Sequence, residues 1–107
     1  MKIYTIKEKV CTYPGATAAW HFVYVPKKES ASLATLYKNV RRGFGSLKVK
    51  VTVGKTTWET SIFKDNRSQA YLLPLKKQIR DKEDIHQGDT IQYKLVIKEP
   101  LSKKTHI

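Results

Sequence analysis

The chain has one cysteine, Cys11, so an internal disulfide is impossible and packing alone has to hold the fold. No apolar secretion segment follows Met1-Lys2, and no run approaches the roughly 20 apolar residues of a membrane helix. A cytoplasmic protein with no membrane contact is the expectation. Histidine is sparse too: His21, His86 and His106, with Cys11, are scattered and show no paired spacing of metal ligands, so neither a metal nor another cofactor is expected. Acidic residues are the last scarcity. Nine Asp and Glu stand against 21 Lys and Arg, a net charge of +12. In a small soluble domain that balance favours polyanionic partners, although a lysine-rich surface also serves solubility alone. Between Lys27 and Lys55, Glu29 is the only acid among eight basic residues.

What is present fits one domain. At 107 residues with 40% hydrophobic content, the chain can bury roughly two-thirds of its unfolded surface in a single core. Residues 1–99 are expected to form that domain, and residues 100–107 a flexible tail.

The organising stretch is residues 41–63, RRGFGSLKVKVTVGKTTWETSIF. Leu47, Val49, Val51 and Val53 alternate with Lys48, Lys50 and Thr52, the period of a strand with one buried and one wet face. Gly54-Lys55 suits a type II′ turn, which fixes the register of the returning strand. Val53 should then face Thr56, Val51 face Trp58, Val49 face Thr60 and Leu47 face Ile62, with Lys50 opposite Glu59 on the outer side.

In chain order, residues 2–13 read as a first strand and residues 18–25 as a second, both of whose faces are at least partly covered. After Pro26, Ser30 is a plausible N-cap for a helix carrying Leu33, Leu36, Tyr37 and Val40, ending near Arg42 with basic residues in its last turn. Gly43 and Gly45 stop it. Beyond the hairpin, residues 64–69 read as a polar loop and residues 70–73 as a short strand. Pro74 then opens a second helix over residues 75–84, with Leu75 and Ile79 inward. Gly88-Asp89 turns the chain, Asp89 bonding backbone, and Ile91, Tyr93, Leu95 and Ile97 alternate along a last strand. Strand, proline, short helix, glycine and strand thus occur twice, over residues 22–53 and 71–97. This suggests a pseudo-two-fold barrel.

Residues 13–26 (YPGATAAWHFVYVP), residues 41–63 and residues 71–80 (YLLPLKKQIR) with Gly88-Asp89 resemble the bacterial family called domain of unknown function 1905. The W-x-T-S-x-F signature stands at Trp58, Thr60, Ser61 and Phe63, followed by Lys64 where members usually continue with proline. The resemblance implies a mainly β fold, a small double-split β-barrel of about six strands with two short capping helices. That architecture is also seen in the AbrB and MazE group of DNA-binding regulators and antitoxins. It implies no established activity.

Several motifs fail their mechanisms. Arg42-Gly43-Phe44-Gly45 opens like an RNA-recognition motif, but Ser46 and Val49 stand where stacking rings belong, so Phe44 is read as core. Gly54-Lys55-Thr56 joins two strands instead of entering a helix, which rules out a phosphate-binding loop. Ser61 or Cys11 combines on paper with His21 or His86 and Asp65 or Asp89, as in any chain of this size, and no enzyme is expected.

The candidate site is the basic set Arg41, Arg42, Lys48, Lys50 and Lys55, forming one positive face that contacts the phosphates of DNA or RNA without reading bases. The alternative is an antitoxin-like or accessory domain docking an acidic protein. A small-ligand binder or enzyme ranks last, because it needs a pocket near Trp58, Thr60, Ser61 and Tyr71. A monomer is expected, since one chain holds both strand-helix-strand units.

Overall fold

The structure, a computed structural model, describes residues 2–13, 20–40 and 45–100. Its elements are β1 (Ile3–Lys9), β2 (Cys11–Thr12), β3 (His21–Tyr24), α1 (Lys27–Leu36), β4 (Leu47–Val53), β5 (Thr56–Asp65), β6 (Ala70–Pro74), α2 (Lys77–Glu83) and β7 (Thr90–Ile97). All strand pairs are antiparallel, in the order β1-β7-β4-β5-β6-β3-β2.

The hairpin lies as its alternation predicts. Leu47, Val49, Val51 and Val53 are buried, Lys48 and Lys50 are exposed, and every expected pair from Val53–Thr56 to Leu47–Ile62 is formed, with Lys50 opposite Glu59. Gly54 has φ +57° and Lys55 a negative φ, the combination of a type II′ turn.

Two strands change partner midway, and this curls the sheet into a barrel-like shape. β5 pairs with β4 up to Ile62 and with β6 from Phe63 onward. The first segment does the same: β1 pairs with β7, and β2 with β3. The single strand expected over residues 2–13 is therefore split at Val10. There both backbone groups turn to the Gly88-Asp89 turn, Val10 N donating to Asp89 O at 2.8 Å and Gly88 N to Val10 O at 2.9 Å. Because β1 and β2 are halves of one segment, the two ends of the strand order meet at Val10. Counted as one, they make six strands. A doubled ββαβ unit results, in which β3 pairs with its counterpart β6 and β4 with its counterpart β7.

Four boundaries differ from the sequence reading. Helix α1 starts at Lys27, directly behind Pro26, and Ser30 is buried inside it. The Ser30 hydroxyl donates to Val25 O at 2.9 Å and accepts from Tyr71 N at 3.0 Å, tying the helix to β6 where a cap was expected. The helix stops at Leu36 with no basic residue in its last turn, and a turn led by Tyr37 brings Tyr37 and Val40 against the core. Its second boundary was expected near Arg42, and Arg42 itself lies outside the described residues. Pro74 closes β6, and α2 waits until Lys77 because Leu75 N still bonds to His21 O at 2.9 Å, keeping the chain extended. The polar loop is also shorter, since β5 runs through Lys64 to Asp65. Residues 101–107, and Gly43 and Phe44, lie outside the described residues.

The core is one cluster between the curled sheet and the two helices. Val23, Val25, Leu33, Val49, Val51, Ile62, Leu73, Tyr93 and Leu95 have no exposed surface. The Tyr93 hydroxyl is satisfied by donating to Tyr24 O at 2.8 Å. Asp89 accepts from His86 N at 2.8 Å, the backbone bond expected of the Gly-Asp turn.

Candidate functional site

Outward positions on β1, β7, β4 and β5 follow from the register, because paired residues point to the same face. Tyr93 and Leu95 are buried on the inner face, and the outward sets are Lys9 with Thr90, Lys7 with Gln92, Thr5 with Lys94 and Ile3 with Val96. Across the next ladder Lys94 pairs with Thr52 and Val96 with Lys50, and Lys98 N donates to Lys48 O at 2.8 Å.

 Measured along β7, an exposed lysine therefore stands at every second residue: Lys9, Lys7, Lys94, Lys50, then Lys48 beside Lys98. At about 6.8 Å per pair of residues this diagonal row is about 27 Å long. Two carboxylates interrupt its charge, Glu59 opposite Lys50 and Glu99, whose Oε2 accepts from Lys48 N at 2.9 Å.

Of the five residues expected to form the basic face, Lys48 and Lys50 lie side by side on β4, within the row. Lys55 is exposed at the hairpin tip, away from it. The tip packs on α2, where the Thr56 hydroxyl donates to Glu83 Oε2 at 2.6 Å. Arg41 and Arg42 lie outside the described residues. Lys7, Lys9, Lys94 and Lys98 are the members that the sequence reading missed. Their signal was the alternation of residues 91–97 and of the first strand, but it needs the β1–β7–β4 pairing to become a row.

Lys48 and Lys98 are like charges on adjacent strands, and the Glu99 carboxylate lies at Lys48 N. With Glu59 and Ser61 they line a shallow hollow of about 260 Å³.

The residues weighed for catalysis stay apart. Ser61 lines the lysine hollow, and His21 lines a separate cleft of about 240 Å³ with Trp20, Trp58, Thr60 and Arg80. The His86 ring lies 2.7 Å from Asp84, and the Cys11 thiol points to Lys9 O at 3.6 Å. Tyr71 is buried in the core, so the pocket imagined around Trp58, Thr60, Ser61 and Tyr71 does not converge. Among the described residues, no three His, Cys, Asp or Glu side chains gather as metal ligands. Burial raises the Tyr71 hydroxyl above the usual phenol range and pushes that of Tyr93 well above it. Asp65 is held below the ordinary carboxylate range, chiefly by the hydroxyl of Ser68, which donates to it at 2.8 Å.

On the outer face of β2 and β3 the surface changes character. The Tyr13 and Trp20 rings stack with centroids 5.0 Å apart and planes within 4°. Phe22 lies behind both, 4.9 Å from Tyr13 and 5.8 Å from Trp20, and Tyr24 meets Phe22 edge-on at 5.2 Å. Tyr13 and Trp20 remain 39% and 40% exposed, a large aromatic surface for so small a domain.

Fold and face together define a class: a small, basic, double-split barrel made from two ββαβ halves, with a lysine-lined sheet outside and a filled interior. The family model described as Domain of unknown function (DUF1905) matches residues 8–95, and the chain belongs to that family. No curated protein matches the chain. Among the described residues no helix is long and apolar enough to cross a membrane.

Proposed function

We propose that this protein binds the phosphate backbone of nucleic acid along the lysine row, as a cytoplasmic monomer and without reading base edges. The observation that carries this reading is the regular pitch of Lys9, Lys7, Lys94, Lys50 and Lys48 with Lys98. Flexible amines at that spacing match a repeating anion better than the irregular carboxylates of a folded acidic protein. The order of strand, proline, basic helix, Gly-Asp and strand over residues 72–95 resembles the AbrB pattern and adds support. Both ββαβ halves come from one chain, which favours a monomer.

The test is equilibrium binding of a labelled oligonucleotide as salt is raised from about 50 to about 200 mM. Five or six phosphate contacts predict a log–log slope of about −5 on a duplex and about −4 on a single strand. A flat salt dependence, or capture of an acidic protein with no nucleic-acid affinity, refutes the proposal.

A further inference from the structure

We infer that the Tyr13–Trp20 stack is a base-stacking platform at the end of the lysine row, and that the strand the row takes is single. The inference rests on the polyanion reading for its backbone contacts and goes beyond it in naming the strand type.

Three observations carry it. The first is continuity. Lys7 and Lys9 share the outward face of the first segment, and Cys11 pairs with Phe22, one of the rings under the platform. The outward series therefore runs from Lys9 through Cys11 to Tyr13, about 14 Å over four residues. A chain of phosphates leaving the row at Lys9 arrives at rings.

The second is the form of the aromatic surface. Tyr13 N donates to Trp20 O at 3.2 Å, so the backbone holds the two exposed rings together, and buried Phe22 supports them from below. Exposing an apolar patch of this kind to water costs free energy, and flat rings recover it by stacking on bases of any identity. A duplex keeps its bases stacked on each other, whereas a single strand can offer them to protein rings.

The third is charge on both flanks. Arg67 lines a hollow with Tyr13 and Tyr24, and Lys76, Lys77 and Arg80 line the cleft that begins at Trp20 and Trp58. Two carboxylates oppose this charge. Asp65, beside Arg67, is engaged by the Ser68 hydroxyl, and Asp81 accepts from Lys77 Nζ at 2.8 Å. Cations therefore stand on either side of the rings, where the backbone of a stacked strand would pass.

The experiment compares three probes by fluorescence anisotropy and competition: single-stranded oligothymidylate, a duplex of the same length, and inorganic polyphosphate, which has the charge without bases. Oligothymidylate is expected to bind more tightly than either of the others. Tyr13→Leu with Trp20→Leu should weaken it about 10- to 100-fold while leaving polyphosphate affinity unchanged, and Trp20→Phe, which keeps a ring, should retain most of the affinity. Circular dichroism confirms that each variant is folded. Equal affinity for oligothymidylate and polyphosphate, or an unchanged double variant, overturns the platform and leaves the polyanion reading standing. Absence of binding to all three probes overturns both. Loss of oligothymidylate binding in the ring variants, without loss on removal of the row lysines, supports the platform and refutes the row.

Discussion

Replacing Lys7, Lys50 and Lys94 together by Gln removes the three central levels of the row while keeping uncharged polar side chains on the strands' outer face. All three positions are exposed, so the fold should persist. Each lysine–phosphate contact on a single strand contributes about 0.7 to the slope of log affinity against log salt. Three fewer contacts should therefore flatten the slope by about 2.1 and weaken binding at about 0.1 M salt by about 100-fold. The control is a second triple variant, Lys27→Gln, Lys28→Gln and Lys38→Gln, at exposed positions on α1 and the turn after it. It lowers net charge by the same amount but leaves the row intact. Oligonucleotide affinity followed by anisotropy over a salt series should fall steeply for the first variant and by less than about tenfold for the control. Equal losses would show that only net charge matters, and the reasoning from strand register would be wrong.

Three further outcomes test the fold. Ser30→Ala leaves the buried Tyr71 N–H without its acceptor, which should cost about 1–3 kcal/mol and lower Tm in a calorimetric scan by roughly 4–12 °C. Gly54→Ala places a Cβ against the Glu83 carboxylate at a φ of +57°, so it should destabilise by about 1–3 kcal/mol in urea unfolding and loosen the bond from Thr56 to Glu83. Burial raises the folded-state pKa of Tyr93 above its unfolded value, so its contribution is complete below about pH 10 and is lost as pH rises beyond that. Alkaline unfolding monitored by circular dichroism should steepen above about pH 10, by up to about 1.4 kcal/mol per pH unit for this one group, and Tyr93→Phe should flatten it.

The sequence was most legible where a local pattern and a buried face agree. The hairpin from Leu47 to Ile62 has period-two alternation and a glycine turn, and every pair it implies is formed. The repeated strand, proline, helix, glycine and strand likewise appears as two ββαβ halves. Helix boundaries were less legible. Ser30 carries the ordinary signal of a cap, yet it lies inside α1 because Val25 and Tyr71, distant in sequence, claim its hydroxyl. Leu75 fits a helical face, but His21 O holds its N–H in an extended arrangement.

By itself the sequence determined the charge, the alternation of each strand, the turn at Gly54 and the doubled unit, all of which depend on residues close along the chain. Only the tertiary structure decided which lysines lie together. Lys7, Lys94 and Lys50 belong to three strands far apart in sequence, and antiparallel pairing through β7 sets them in one line. The aromatic surface has the same origin, since Tyr13, Trp20 and Phe22 meet through the pairing of β2 with β3. Side-chain alternation is a local property of extended backbone, whereas a shared face across strands exists only once their register is set.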